Sequence, residues 1–268
     1  MVKITEQPST HRHLETKSIE ELTSLINGED STVAHAIARS LPDINKLIGA
    51  VVEKLKNGGR MFYLGAGSGG RLSVLDVIEL PTTFGINKGI VNSILAGGIE
   101  HLIEAREEME DNLDEGWERL LNEDVSAKDI VIGISASGTT PFVLGALQVC
   151  RMHNITTGCI VSNPGSPIAR QADFPVEVVT GPEFITGSTR MKCGTAQKML
   201  FDMISTTVMI QLGRVEDNQM VNVMLINNKI TDRAVKMLMG LAPITDYEEA
   251  KTLLLKHGSV RNAIDNLK

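Results

Sequence analysis

The segment Ile130-Val-Ile-Gly-Ile-Ser-Ala-Ser-Gly-Thr-Thr140 decides the fold of this chain. Its apolar, mostly β-branched run predicts a buried strand, and the Gly, Ser and Thr residues after it predict a tight loop before a helix. Two segments repeat this order: Arg60 to Leu64 precedes Gly65-Ala-Gly-Ser-Gly-Gly70, and Val176 to Val179 precedes a loop ending Gly187-Ser-Thr189. Such loops direct backbone N–H groups, hydroxyls and the positive end of a helix at an anion. The pattern indicates phosphate binding.

Short apolar runs alternate with helical segments between residues 60 and 212, an order typical of a parallel sheet with helices on both faces. We predict an α/β fold with five strands: Arg60–Leu64, Ile90–Leu95, Ile130–Ser135, Thr157–Val161 and Val176–Thr180. Helices are expected near 70–80, 99–121, 141–153, 165–171 and 191–212. Ligands of such sheets bind beyond the carboxyl ends of the strands, which is where all three loops fall.

Helical patterns flank this region. A capping box, Ser18-Ile-Glu-Glu21, predicts a short helix that Gly28 ends, and apolar residues from Leu41 to Leu55 predict a second helix. Three more helices are expected around Asn227–Met239, Tyr247–Lys256 and Val260–Asn266. We therefore expect a helical N-terminal segment (1–58) packing on the core, a phosphate-binding domain (59–213) and a small C-terminal helical appendage (214–268).

Composition argues against several classes of protein. The chain carries 26 Lys and Arg against 33 Asp and Glu, a net charge of −7, and only 3% aromatic residues, so a nucleic-acid partner is not expected. No segment predicts a leader or a membrane span, which favours a cytoplasmic protein without a membrane partner. The scattered Cys150, Cys159 and Cys193 predict three reduced thiols rather than a disulfide framework or a zinc site.

The first loop has a second interpretation. Gly65, Gly67 and Gly70 fit the G-x-G-x-x-G pattern of dinucleotide-binding folds. That fold also requires an acidic residue at the end of the second strand, where this chain has Leu95-Ala-Gly-Gly98. The two other hydroxyl-rich loops favour a monophosphate ligand over a dinucleotide.

Two segments resemble a known family. Ser135–Thr140 resembles the phosphate loop of sugar isomerase (SIS) domains. The segment Gly181-Pro-Glu-Phe-Ile-Thr-Gly-Ser-Thr-Arg-Met-Lys-Cys-Gly-Thr-Ala-Gln-Lys198 resembles a signature shared by N-acetylmuramic acid 6-phosphate etherases and glucokinase regulatory proteins. Further stretches resemble the etherases in the same order: Thr5–Gln7, Leu25–Asp30, Gly65–Leu72, Pro141–Leu147 and Met220–Val223. The resemblance covers nearly the whole chain and implies the SIS fold.

This resemblance implies a carbon–oxygen lyase with two catalytic glutamates, Glu79 and Glu110. In the family reaction the proton at carbon 2 of the sugar is removed, D-lactate leaves from carbon 3, and water adds to the unsaturated product. No metal or cofactor is implied. From the residues alone, Glu79 is expected to be buried among apolar neighbours, whereas Glu110 belongs to an acidic run typical of a solvated face.

The phosphate-binding residues expected from the loops and the resemblance are Gly67, Ser68, Ser135, Ser137, Thr139, Thr140, Ser188 and Thr189. The chain departs from the etherase pattern at Gly69, which lacks a hydroxyl, and at Thr139, where the family often has arginine. Arg71, Arg190 and Lys192 flank the loops and either bind phosphate or pair with carboxylates.

Two other functions remain open: a non-catalytic sugar-phosphate regulator that resembles glucokinase regulatory protein, and a SIS aldose–ketose isomerase. The expected partners are a small-molecule sugar phosphate and a second copy of the chain, with active sites near the subunit interface as in SIS relatives. The homodimer is also expected because the helices carry more apolar residues than one core buries, among them Leu41, Ile44, Ile48, Val51, Leu55, Met199, Met203, Val208 and Ile210.

Overall fold

A computed structural model describes residues 3–104 and 106–267. The chain forms two compact units. Unit 1 comprises Met1–Asp76 and Gly89–Ile204, and unit 2 comprises Val77–Lys88 and Ser205–Lys268. The division at residues 58 and 213 stays a prediction.

Unit 1 contains a parallel sheet, so the expected α/β fold is confirmed. Its strands are β1 Met61–Gly65, β2 Val91–Leu95, β3 Ile130–Ser135, β4 Thr156–Val161 and β5 Phe174–Glu177. They lie in the order β2-β1-β3-β4-β5, and every pairing is parallel. The last strand begins two residues earlier than predicted and ends at Glu177, because its pairing with β4 runs from Phe174 to Glu177.

Seven α-helices begin in the described part of unit 1. They are α1 Ile19–Asp30, α2 Val33–Lys56, α3 Gly67–Phe84, α4 Glu115–Asn122, α5 Pro141–Met152, α6 Pro167–Gln171 and α7 Lys192–Gln211, of which α3 and α7 end in unit 2. The capping box is confirmed by bonds between Ser18 and Glu21. The prediction that Gly28 ends α1 is wrong, because the helical hydrogen bonds continue to Ser31.

The predicted helix over 99–121 is wrong. Two short 3-10 helices, Ile99–His101 and Glu107–Asp111, precede α4. The side chain of Asn112 accepts hydrogen bonds from the backbone N–H groups of Asp114 and Glu115, at 3.0 and 3.2 Å. Such a side-chain bond competes with a continuous helix at this point, just before α4.

The sheet and its helices bury a large apolar core. The strand β1 is buried throughout, and Phe142 and Leu147 of α5 belong to the core cluster that includes Phe62. Cys150, Cys159 and Cys193 are free and buried, and burial raises the pKa of the first two thiols to about 12 and of Cys193 to about 11.

Several of the apolar residues from which a dimer is predicted are already covered, whereas Leu41 and Ile210 are exposed. Ile44, Ile48, Val51 and Leu55 of α2 are buried within the single chain. These residues need no second subunit to cover them.

Unit 2 has its own core. Its helices α8 Asn228–Leu241, α9 Tyr247–His257 and α10 Val260–Asp265 confirm the three predicted C-terminal helices. Val235, Leu238, Leu254 and Val260 are fully buried in it. In the described residues of both units, no helix is long and apolar enough to cross a membrane.

Candidate active site

The strand order places the loops after β1 and β3 side by side. From β1 the chain crosses first to β2 on one side and then to β3 on the other, so the loops after β1 and β3 meet where the winding direction reverses. This reversal is the usual ligand position in such sheets. A cavity of about 220 Å³ lies there within unit 1. It is lined by Glu6, Ala66, Gly67, Ser68, Gly69, Glu110, Ile134, Ser135, Ala136, Ser137, Thr140, Gly187, Thr189 and Gln197.

The hydroxyls of the β3 loop form one directed chain that ends on Glu110. Thr140 donates its only proton to Glu110 Oε1 at 2.9 Å, so Thr140 must accept from Ser135, at 2.8 Å. Ser135 in turn accepts from Ser137, at 3.2 Å, and Ser137 accepts from Thr139, at 3.1 Å. This loop also begins α5, whose positive N-terminal end favours an anion. The arrangement combines an anion cradle with a carboxylate.

Glu110 does not lie on a fully solvated face, as its acidic run alone would suggest. It is half-buried, lines the cavity and accepts the Thr140 hydroxyl. The 3-10 helix Glu107–Asp111 brings it there. The acidic neighbours Glu107 and Glu108 are exposed and pair with arginines instead.

The β1 loop lines the cavity with Ala66, Gly67, Ser68 and Gly69. A Cβ atom at Gly70 would lie 2.7 Å from Gly65 O, so glycine is required where the loop folds back on itself. At Gly69 a Cβ atom would lie 2.8 Å from Ile134 Cγ2 and 3.0 Å from Gln197 Oε1. Gly69 therefore lacks the family's hydroxyl at a position where this structure leaves little room for a side chain.

The third loop places Gly187 and Thr189 at the cavity, whereas Ser188 is not among its lining residues. The N-terminus of α7 that follows is already occupied. The buried carboxylate of Glu183 accepts hydrogen bonds from Lys192 N at 2.8 Å and Cys193 N at 2.9 Å. The expectation that every loop offers a helix N-terminus to phosphate is thus wrong for α7.

Two of the basic residues beside the loops pair with carboxylates. Arg71 binds Glu107 at 2.7 Å, and the buried Lys192 binds Glu29 at 2.6 Å. The Lys192 ammonium, together with His11, lowers the pKa of Glu29. Arg190 is exposed. Among the described residues, those lining the cavity include no Lys or Arg.

The N-terminal segment contributes to the site, which the loop patterns did not predict. Glu6 lines the cavity, and the buried Asn163 joins this segment to the β3 loop. Gln197 of α7 lines the cavity too and is buried. Both Glu6 and Gln197 fall in stretches that resemble the etherases, so the resemblance could have indicated them as residues of the site.

Comparisons with known proteins identify the family. Residues 43–151 match the model described as glucokinase regulatory protein N-terminal SIS domain, and residues 114–207 match the SIS domain model. A Porphyromonas gingivalis protein named N-acetylmuramic acid 6-phosphate etherase is 54% identical, covering 99% of this chain and 97% of the relative. The chain belongs to the N-acetylmuramic acid 6-phosphate etherase family. An etherase from Bacteroides thetaiotaomicron is 52% identical, covering 98% of this chain and 95% of the relative. One from Salmonella agona is 43% identical, covering 95% of this chain and 85% of the relative.

Solved structures show the same fold outside the etherase family. A phosphoheptose isomerase from Francisella tularensis is 16% identical with a TM-score of 0.52, covering 75% of this chain and 100% of the isomerase. The C-terminal domain of glucosamine-fructose-6-phosphate aminotransferase from the same organism is 17% identical with a TM-score of 0.51, covering 80% of this chain and 57% of that one. The SIS fold is therefore confirmed.

The other glutamate implied by the etherase resemblance lies in unit 2. Glu79 is on α3 and is exposed in the single chain, so the expectation of a buried carboxylate is wrong. Its neighbour Ile78 is 61% exposed, and Leu75, one turn before Glu79, is 44% exposed. This face of α3 is apolar and uncovered around Glu79.

Proposed function

We propose that this chain, a lyase of the etherase family, cleaves the D-lactyl ether of N-acetylmuramic acid 6-phosphate to N-acetylglucosamine 6-phosphate and D-lactate in cell-wall recycling. One observation carries the proposal. Thr140 joins the phosphate loop directly to the Glu110 carboxylate, at 2.9 Å. A sugar whose phosphate is held by this loop has its reactive carbons within the same cavity as an acid–base group.

Glu79 and Glu110 supply proton transfer in this mechanism. A carboxylate takes the proton from carbon 2 of the opened sugar, the bond between carbon 3 and the lactyl oxygen breaks, and a carboxylic acid gives that oxygen a proton. Water then adds its hydroxyl to carbon 3 and a proton returns to carbon 2. The loop residues Gly67, Ser68, Ser135, Ser137, Thr139 and Thr140, with Ser188 and Thr189, hold or surround the phosphate. The reaction needs no metal or other cofactor.

The test is release of D-lactate from the muramic acid phosphate by the purified chain. Stoichiometric lactate with N-acetylglucosamine 6-phosphate supports the etherase. An isomerase would interconvert aldose and ketose phosphates without lactate, and a regulator would bind a sugar phosphate without turnover. The Glu79→Gln variant should lose turnover by about 10²–10⁴-fold while still binding the sugar phosphate, because the amide keeps size and hydrogen bonding but transfers no proton.

We also propose a homodimer with active sites near the subunit interface. The support is the uncovered apolar face of α3, where Leu75 and Ile78 lie beside Glu79. Mixing the inactive Glu79→Gln and Glu110→Gln chains should restore part of the activity if the two glutamates of one site come from opposite subunits. A concentration-independent monomer mass in sedimentation would rule the dimer out. The cytoplasmic location stays a prediction.

A further inference from the structure

The side chains that line the cavity do not offset the negative charge of a phosphate ester. A phosphate ester carries about −1.5 to −2 charge at neutral pH. The described lining residues supply two carboxylates, Glu6 and Glu110, and no basic side chain. Arg71 and Arg106 line an adjoining cavity that shares Gly67 and Glu110 with this one. They are paired with Glu107 and Glu108, and Lys192 is paired with Glu29. The end of α5 and the hydroxyls offer only partial positive charge.

A buried amide fixes the N-terminal segment against the phosphate loop. Asn163 Oδ1 accepts a hydrogen bond from Ile4 N at 2.6 Å, and Asn163 Nδ2 donates to Thr5 Oγ1 at 3.0 Å. The same Nδ2 donates to the loop carbonyls of Ala136 at 3.0 Å and Ser137 at 3.2 Å. Thr5 and Asn163 are both buried. This network sets the position of Lys3, which directly precedes Ile4, relative to the loop.

Lys3 contacts the loop through its ammonium group. Its Nζ atom donates to Thr139 Oγ1 at 2.8 Å, at the start of the hydroxyl chain that ends on Glu110. Thr139 accepts from Lys3 and donates its own proton to Ser137, which lines the cavity and gives its proton to Ser135. Lys3 and Thr139 line a neighbouring cavity of about 550 Å³ that shares Ser137 with the first cavity. The Thr139 hydroxyl therefore separates the ammonium from Ser137, and the Lys3 side chain is a flexible stem of four carbons.

We propose that Lys3 supplies the positive charge that binds the phosphate of the substrate. On binding, its ammonium exchanges the Thr139 hydroxyl for a phosphate oxygen, or stays on Thr139 and acts through its charge. Either way the dianion gains a full positive charge beside the loop. This inference rests on the proposed binding of a sugar phosphate by the 135–140 loop and adds a residue from outside all three loops.

The test measures binding of N-acetylglucosamine 6-phosphate by calorimetry, which does not depend on turnover. Lys3→Gln keeps an N–H donor for Thr139 but removes the charge. We expect it to weaken binding by about 10-fold or more, because hydrogen bonds between charged groups are stronger than those between neutral groups. Lys3→Arg keeps the charge and should stay close to wild type. Lys128→Gln is the matched control, because Lys128 is exposed and precedes β3 at the opposite edge of the sheet.

The outcomes separate the two proposals. If wild type binds the sugar phosphate and Lys3→Gln binds it equally well, Lys3 has no charge role, while the proposed function stands. If wild type binds no sugar phosphate, both proposals fail. A loss in Lys3→Gln that Lys3→Arg does not share, with unchanged weak binding of unphosphorylated N-acetylglucosamine, supports the inference. Equal melting temperatures exclude a folding defect as its cause.

Discussion

Replacing Thr140 by valine tests the connection between the 135–140 loop and Glu110. The substitution keeps the shape of a side chain that is only 6% exposed but removes the hydroxyl that donates to Glu110 Oε1 at 2.9 Å. It also removes the acceptor of the Ser135 proton, at 2.8 Å. Glu110 is then no longer held in place by the loop.

The magnitude follows from the bond that is lost. A hydrogen bond to a charged group contributes about 1.5–3 kcal/mol. If Glu110 needs this bond to stay aligned with the substrate, the loss corresponds to about a 10- to 100-fold fall in kcat, since each 1.36 kcal/mol in the barrier is tenfold in rate. Ser135 keeps Ser137 as a neighbour, so the loop itself should persist.

The assay is D-lactate release at saturating substrate, with Thr140→Ser as the matched control because serine retains the hydroxyl. We expect a reduced kcat for Thr140→Val and near wild-type kcat for Thr140→Ser. A Thr140→Val variant with wild-type kcat would refute the argument that this hydroxyl positions Glu110. A rise in KM alone would assign Thr140 to phosphate binding only.

Three further predictions concern the same unit. Glu110→Gln should lower kcat by about 10²–10⁴-fold, as expected for loss of a general acid or base. Glu108 is exposed and paired with Arg106, so Glu108→Gln should leave kcat unchanged. Equal effects of the two substitutions would show that Glu110 has no catalytic role. Ser137→Ala should weaken sugar-phosphate binding by about 10-fold or more, and an equal loss for the unphosphorylated sugar would contradict the phosphate cradle. Glu29 has a lowered pKa in the folded chain, so its contribution to stability is present above its ordinary pKa of 4.5 and is lost as the pH falls through the folded pKa. Glu29→Gln should therefore lower the melting temperature at pH 7 and make the melting temperature less dependent on pH in acid. An unchanged melting profile would count against the pairing of Glu29 with Lys192.

The sequence predicted the sheet because each strand is a local signal. Apolar runs such as Ile130–Ile134 followed by glycine and hydroxyl residues specify strand, loop and helix within about ten positions, so the five strands lie close to the predicted ranges. The carboxyl-edge rule then puts the loops at one edge of the sheet. Only the strand order β2-β1-β3-β4-β5, which no local pattern specifies, makes the first two loops neighbours. Errors arose where a side-chain interaction decided the backbone, as at Asn112, whose amide oxygen accepts from Asp114 N and Glu115 N between the 3-10 helix Glu107–Asp111 and α4.

The composition of the cavity was decided only by the tertiary structure. No local pattern distinguishes Glu110 from Glu107 or Glu108, because all three belong to one acidic run; their difference depends on which one meets Thr140. Likewise, Lys3 contacts Thr139, 136 residues away in the chain, because Asn163 holds the adjacent residue Ile4 in place. Sequence periodicity reports which face of an element is apolar, whereas pairings between distant polar side chains depend on how the whole unit packs.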